Sequence, residues 1–215
     1  MNVKTPSLLI DYIESEKSWR TKELLNFRSR TLSVKGVDQV SMFKLGICLV
    51  YSHWEGFVKN SGSAFFTFLV KSGLKYTELQ DHYKVCAFLE YFDGQYPHKN
   101  FKSNVVIVKN EINFQKSVKV DPQRFIDTKS NLNYETLEEI LEKIGLSNSN
   151  FILKANFIDE SLIKMRNAIA HGEYRNISQK DFIDVYDGAM TLIETFFTEI
   201  LNFIVQNKFR LSSVA

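Results

Sequence analysis

Proline, glycine and cysteine are scarce in this chain. Three Pro and nine Gly in 215 residues are too few for the many turns of a β-rich fold and favour long helices. The two cysteines, Cys48 and Cys86, form no C-x-x-C pair. They predict free thiols in a reducing compartment rather than a disulfide framework. Charge of one sign is lacking too. A formal net charge of +2 does not by itself mark a nucleic-acid binder, so any basic site must arise locally. There is no run of about 18 apolar residues that would suggest a membrane span. Asp11, Glu14 and Glu16 interrupt the stretch where a secretory leader would be apolar. These absences predict a cytoplasmic protein with no membrane association.

What is abundant is apolar and aromatic. The chain is 44% hydrophobic and holds 18 Phe, which predicts one domain over residues 1–215 with an aromatic-rich core. Periodicity predicts a helix from Pro6 to about Leu32 and a turn at Ser33–Gly36. A central helix should follow from Val37 to about Leu69, burying Val40, Phe43, Ile47, Val50 and Trp54. Further helices are expected over Thr77–Asp93, from Asn133–Tyr134 to Ile144, and from a Ser178 cap with Asp181 at its third position to about Asn207. The β-branched run Val105–Val108, followed by alternation at Ile112 and Phe114, predicts a small β insertion near residues 104–120.

Chemistry concentrates in Met165-Arg166-Asn167-Ala168-Ile169-Ala170-His171-Gly172-Glu173. Ile158, Leu162, Met165 and Ile169 form an apolar stripe, with Glu160, Lys164, Asn167 and His171 on the opposite face and Arg166 beside them. Gly172 is placed to stop the helix. An imidazole moves protons near neutral pH and a guanidinium clamps phosphate through paired hydrogen bonds, a combination suited to phosphodiester chemistry. There is no G-x-S-x-G, H-E-x-x-H or P-loop, and no His or Cys spacing typical of a metal site. Neither a metal nor a cofactor is expected.

Arg-Asn-x-x-x-His at a helix end, followed by Gly, resembles the signature of the HEPN superfamily. Two other segments resemble a prokaryotic branch of it: Tyr51-Ser52-His53-Trp54-Glu55-Gly56-Phe57-Val58-Lys59, and Ser130-Asn131-Leu132-Asn133 through Ile144-Gly145-Leu146. The resemblance implies a mainly α, HEPN-like antiparallel helical bundle. It also implies a metal-independent ribonuclease of toxin–antitoxin or anti-phage defence systems, working as a homodimer or as a heterodimer with a related HEPN protein. An antitoxin or defence protein would be a further partner. Arg166, Asn167 and His171 are then the catalytic residues.

Around them, Lys164, His53 and Glu55 are candidate supporting residues. Glu55 would orient Arg166 or His171, although its simpler reading is an i, i+4 ion pair with Lys59. Between Lys99 and Lys129 there are seven basic residues against three acidic. Lys102, Lys109, Lys116 and Lys119, with Arg175 beyond the motif, are the candidate RNA contacts; the simpler reading of that segment is a solvated insertion. The alternative to catalysis is a HEPN scaffold that binds a nucleotide or docks a partner without cleaving RNA.

Overall fold

A computed structural model describes residues 1–91, 113–173 and 176–211. Helix α1 (Pro6–Ser33) starts where the Thr5 hydroxyl accepts the Leu8 N–H at 3.3 Å and Pro6 takes the first turn. After a short turn, α2 (Val37–Lys71) runs unbroken through Gly46, Gly56 and Gly62. The two helices are antiparallel. Lys71 donates to the Met1 carbonyl, Arg20 lies against Gly56, and Phe27 lies against Gly46.

The last long helix in the chain, Gln179–Val205, opens on the expected capping box, in which Ser178 and Asp181 satisfy each other's backbone N–H groups. Phe182 stacks on Phe43, Phe196 meets Trp54 and Phe57 edge-on, and Phe203 meets Phe65. The pairing climbs in the same direction along both chains, so this helix runs parallel to α2. Ion pairs Lys17–Glu194 and Arg28–Asp187 show it antiparallel to α1. Burying each of these aromatic or aliphatic side chains contributes about 1.5–3 kcal/mol. The helix is long and apolar enough to cross a membrane, but here its apolar stripe is part of the bundle core.

The segment between the parallel helices departs from expectation in two places. Thr77–Tyr83 does not join a long helix. It makes two single 3₁₀ turns, Tyr76–Glu78 and Asp81–Tyr83, and α3 (Lys84–Tyr91) begins only after them. The reason is tertiary: the N–H groups of Tyr76, Thr77 and Gln80 donate to the carbonyls of Lys116, Phe114 and Phe209. Residues 113–120 form no strand among the described residues, only one antiparallel bridge between Lys75 and Ser117. Residues 104–112 of the expected β insertion lie outside the described residues. Next come α4 (Pro122–Phe125), capped by Asp121, and α5 (Tyr134–Ile144), capped by Asn133 and ended by Gly145. The mainly α-helical bundle is therefore the observed architecture.

Candidate active site

The motif helix is assembled from two kinds of turn. Phe157–Ile163 is π-helical and passes directly into α6 (Lys164–Ala170); the Gln179–Val205 helix is thus α7. A π turn adds residues to each turn and rotates everything that follows around the axis. The expected stripe changes accordingly. Ile158, Leu162, Ile163 and Ala168 are buried, whereas Met165 and Ile169 are only partly so. Two contacts hold the π segment. Asp159 accepts the Tyr134 N–H at 2.8 Å, and the Phe157 ring fills the space beside Gly188, where a Cβ would come within 2.2 Å of it.

Helix α6 ends as its sequence predicts. Glu173 N–H donates to the Ala168 carbonyl at 2.9 Å and Gly172 N–H to the Ile169 carbonyl at 3.1 Å. Gly172 has φ +73°. This is a Schellman stop, and it leaves His171 exposed as the C-cap residue just past the helix. The His171 imidazole makes no side-chain hydrogen bond among the described residues.

Arg166 does not project into solvent with the polar face. It is half-buried, with its guanidinium carbon 4.4 Å from the centre of the Tyr51 ring on α2. One guanidinium nitrogen, Nη1, donates to Asn167 Oδ1 at 2.7 Å. The Asn167 amide is therefore tied to Arg166, and only its backbone carbonyl reaches His171, accepting that residue's N–H at 2.9 Å. No carboxylate pairs with Arg166 among the described residues. A guanidinium carries five donors, so most of this fork is left for a ligand anion.

Beneath it, Tyr51 is fully buried and its hydroxyl accepts the Leu132 N–H at 2.8 Å. Burial pushes its pKa up to about 12; the Leu132 bond and the Arg166 charge oppose this, while Glu55 adds to it through charge and hydrogen bonding. Glu55 thus acts on Tyr51, the layer below Arg166. The expected Glu55–Lys59 ion pair is not formed. The Cys48 thiol, raised by burial, also feels the Arg166 charge.

The other candidates sort differently. His53 faces away from the motif, toward α1: it is buried, its Nε2 lies 3.4 Å from Glu23, and its ring packs on Trp19. It stands two positions beyond Tyr51, about 200° around the helix, so it does not share the face that meets Arg166. Lys164 pairs with Glu160 at 2.8 Å on the surface, an interaction worth a few tenths of a kcal/mol. Lys116 and Lys119 are exposed beside Lys75 and Tyr76, beyond the far end of α2. Twenty helical residues, about 30 Å, separate Tyr51 from that end. These two lysines are not part of the motif surface. Lys102, Lys109 and Arg175 lie outside the described residues. Among the described residues, no three His, Cys, Asp or Glu side chains gather to hold a metal ion.

Open clefts lie along α1, one lined by Lys17, Thr21 and Phe197 and another by Trp19, Phe27 and Leu49. Neither includes a motif residue. Arg166 and His171 therefore sit at a helix end rather than in those clefts.

Tyr51 was absent from the candidates, although it stands one helical turn before Glu55 on the same face. Its role depends on a contact with a helix more than a hundred residues away, and helical spacing alone carries no sign of that.

Comparison with curated proteins and with solved structures gives no match. A family model described as RiboL-PSP-HEPN matches residues 15–202, a span that holds α2, the Ser130–Asn133 turn and the motif helix. The chain belongs to the RiboL-PSP-HEPN family.

Proposed function

We propose that this protein is a metal-independent endoribonuclease, the toxin or effector of a prokaryotic toxin–antitoxin or anti-phage defence system. The observation that carries the reading is Arg166: a half-buried guanidinium, held by Tyr51 and Asn167, without a carboxylate partner among the described residues, five residues from an exposed imidazole on the same helix end. Arg166 binds the scissile phosphate and stabilises the charge that grows on it. His171 accepts the proton of the RNA 2′-hydroxyl as that oxygen attacks phosphorus. The bond from phosphorus to the 5′-oxygen breaks, and a second imidazole protonates the departing oxygen. The products are a 2′,3′-cyclic phosphate and a 5′-hydroxyl. RNA brings its own nucleophile, so guanidinium and imidazole are sufficient.

One chain presents a single motif imidazole. The second comes from a partner whose motif helix end faces this one across a two-fold axis, either another copy or a related HEPN protein. The exposed position of His171 supports this. An antitoxin would act by covering or separating the paired helix ends.

The test is incubation of purified protein with RNA and with DNA of the same sequence in EDTA, beside His171→Ala. RNA should be cut to cyclic-phosphate ends and DNA left intact. His171→Ala should lose about 10²–10⁴-fold in rate. Equal cleavage by His171→Ala, or a requirement for added Mg²⁺, would contradict the assignment.

A further inference from the structure

The three sequence segments singled out above converge on one side chain. Tyr51 comes from the α2 segment, its ring lies against Arg166 of the motif, and its hydroxyl is held by Leu132 of the Ser130–Asn133 turn. We propose that Tyr51 is the positioning residue of the site: its ring fixes the plane of the Arg166 guanidinium, and the turn at 128–133 fixes the ring. This rests on the RNA-cleaving reading of Arg166 and His171.

A bidentate grip on phosphate requires the guanidinium to be presented edge-on in one plane. A flexible side chain reaches that arrangement only part of the time unless something restrains it. Here two restraints act on it. The Tyr51 ring faces the guanidinium at 4.4 Å, and Asn167 Oδ1 takes one edge at 2.7 Å. A cation over an aromatic face is attracted to the ring's negative face, more so when partly removed from water. The opposite edge of the fork remains for the ligand.

The ring itself cannot slide. It is fully buried, and its hydroxyl accepts the Leu132 N–H at 2.8 Å. The turn that supplies Leu132 N–H has an unusual backbone. Lys129 and Ser130 are consecutive non-glycine residues at φ 53° and 55°. Such conformations persist only where the surroundings enforce them. The enforcement is visible: Asn131 N–H donates to the Thr128 carbonyl, Asn133 N–H to the Asn131 carbonyl, and the Asn133 side chain caps α5. The turn is thereby anchored on both sides of Leu132.

The experiment is a double-mutant cycle between Tyr51 and Arg166, read as binding of an oligoribonucleotide made uncleavable by 2′-O-methyl groups and, separately, as the rate on normal RNA. Tyr51→Leu should weaken both on the order of tenfold, and Tyr51→Phe, which keeps the ring, should restore most of the loss. In the Arg166→Ala background, Tyr51→Leu should change neither readout, since a residue acting through Arg166 has nothing left to position. Additive losses would overturn the proposal and leave Tyr51 as a core residue only. If Tyr51→Leu does not fold, a series of fluorinated phenylalanines at position 51 drains the ring's negative face at nearly constant shape. Stepwise weakening supports the proposal, and a flat series overturns it. Wild-type protein that neither binds nor cuts RNA overturns the functional reading and this proposal together. Wild-type binding and cleavage with no response to Tyr51 overturns this proposal alone.

Discussion

Arg20 and Arg166 each rest on an aromatic ring and differ in what answers their charge. Arg20 lies in the seam between α1 and α2, its guanidinium 4.3 Å over Trp19. Its Nη2 meets Glu16 at 3.0 Å, and that carboxylate also accepts from Asn60 and Trp19. Burial alone would raise the Glu16 pKa, but the Asn60 and Arg20 hydrogen bonds, with the Arg20 charge, bring it below the usual value. Arg166 lies over the Tyr51 ring in the same way, with no carboxylate partner among the described residues. A buried charge with its counterion beside it is a structural device. A half-buried one whose neighbours restrain it without neutralising it is kept for an anion that arrives from outside.

That contrast can be broken most strongly at Arg20. Replacing Arg20 with Ala strands Glu16 in a seam where its side chain is only 14% exposed. Urea unfolding should show a loss of about 3 kcal/mol, the lower end for a broken buried pair because Asn60 and Trp19 still serve Glu16. A loss below about 0.5 kcal/mol, the range of a neutral surface change, would remove Arg20 from its structural role.

Next in size is the helix stop. Gly172→Ala places a Cβ in the left-handed region at φ +73°, which should cost about 1 kcal/mol. It should also lower the cleavage rate, because the same stop fixes where His171 ends up. An unchanged unfolding midpoint together with an unchanged rate would show that the Schellman geometry does not matter.

Acid should weaken the seam further. Burial lowers the His53 pKa below the ordinary 6.5, with Arg20 lowering it further and Glu23 opposing. His82 is likewise lowered by burial, against the pull of the Ile144 carbonyl and the charges of Glu142 and Asp81. The unfolded imidazoles take up protons near pH 6.5 while the folded ones resist. Their contribution to stability is therefore complete above pH 6.5 and is lost as pH falls through the lower folded values. Unfolding curves between pH 7.5 and 5 should show this decline, and His53→Gln should flatten it. A decline of the same slope in the variant would assign it elsewhere.

The smallest effect should come from the lysines at the far end of α2. Lys116→Ala with Lys119→Ala should change the cleavage of a short RNA by less than about twofold, since about 30 Å of helix separates them from Tyr51. A tenfold loss would mean that the substrate reaches that end.

Much of this was readable from residues alone. The three long helices followed from periodicity, with Pro6 marking the start of the first and Ser178 with Asp181 capping the last. The motif residues and the glycine stop followed from local spacing, and so did the placement of His171. What stayed hidden depends on tertiary contacts. The backbone donors of Tyr76, Thr77 and Gln80 were claimed by distant carbonyls, so a helix-compatible stretch became two 3₁₀ turns. The π turn at Phe157–Ile163 rotated the motif helix and carried Arg166 onto α2, a position that regular helical spacing does not yield. His53 and Glu55 stand two residues apart yet serve opposite seams, which only the packing of α1 and α6 around α2 reveals.

The contrast between the two arginines is tested most directly by measuring unfolding and RNA cleavage on the same preparation of Arg166→Ala. The unfolding free energy should fall by no more than about 1 kcal/mol, the worth of one partly buried cation–π contact, because no carboxylate among the described residues is stranded. Cleavage should fall on the order of 10²–10³-fold, as for removal of a donor that stabilises developing charge. A protein destabilised by several kcal/mol whose folded fraction still cuts RNA at the wild-type rate would make Arg166 a second Arg20 and contradict the reading.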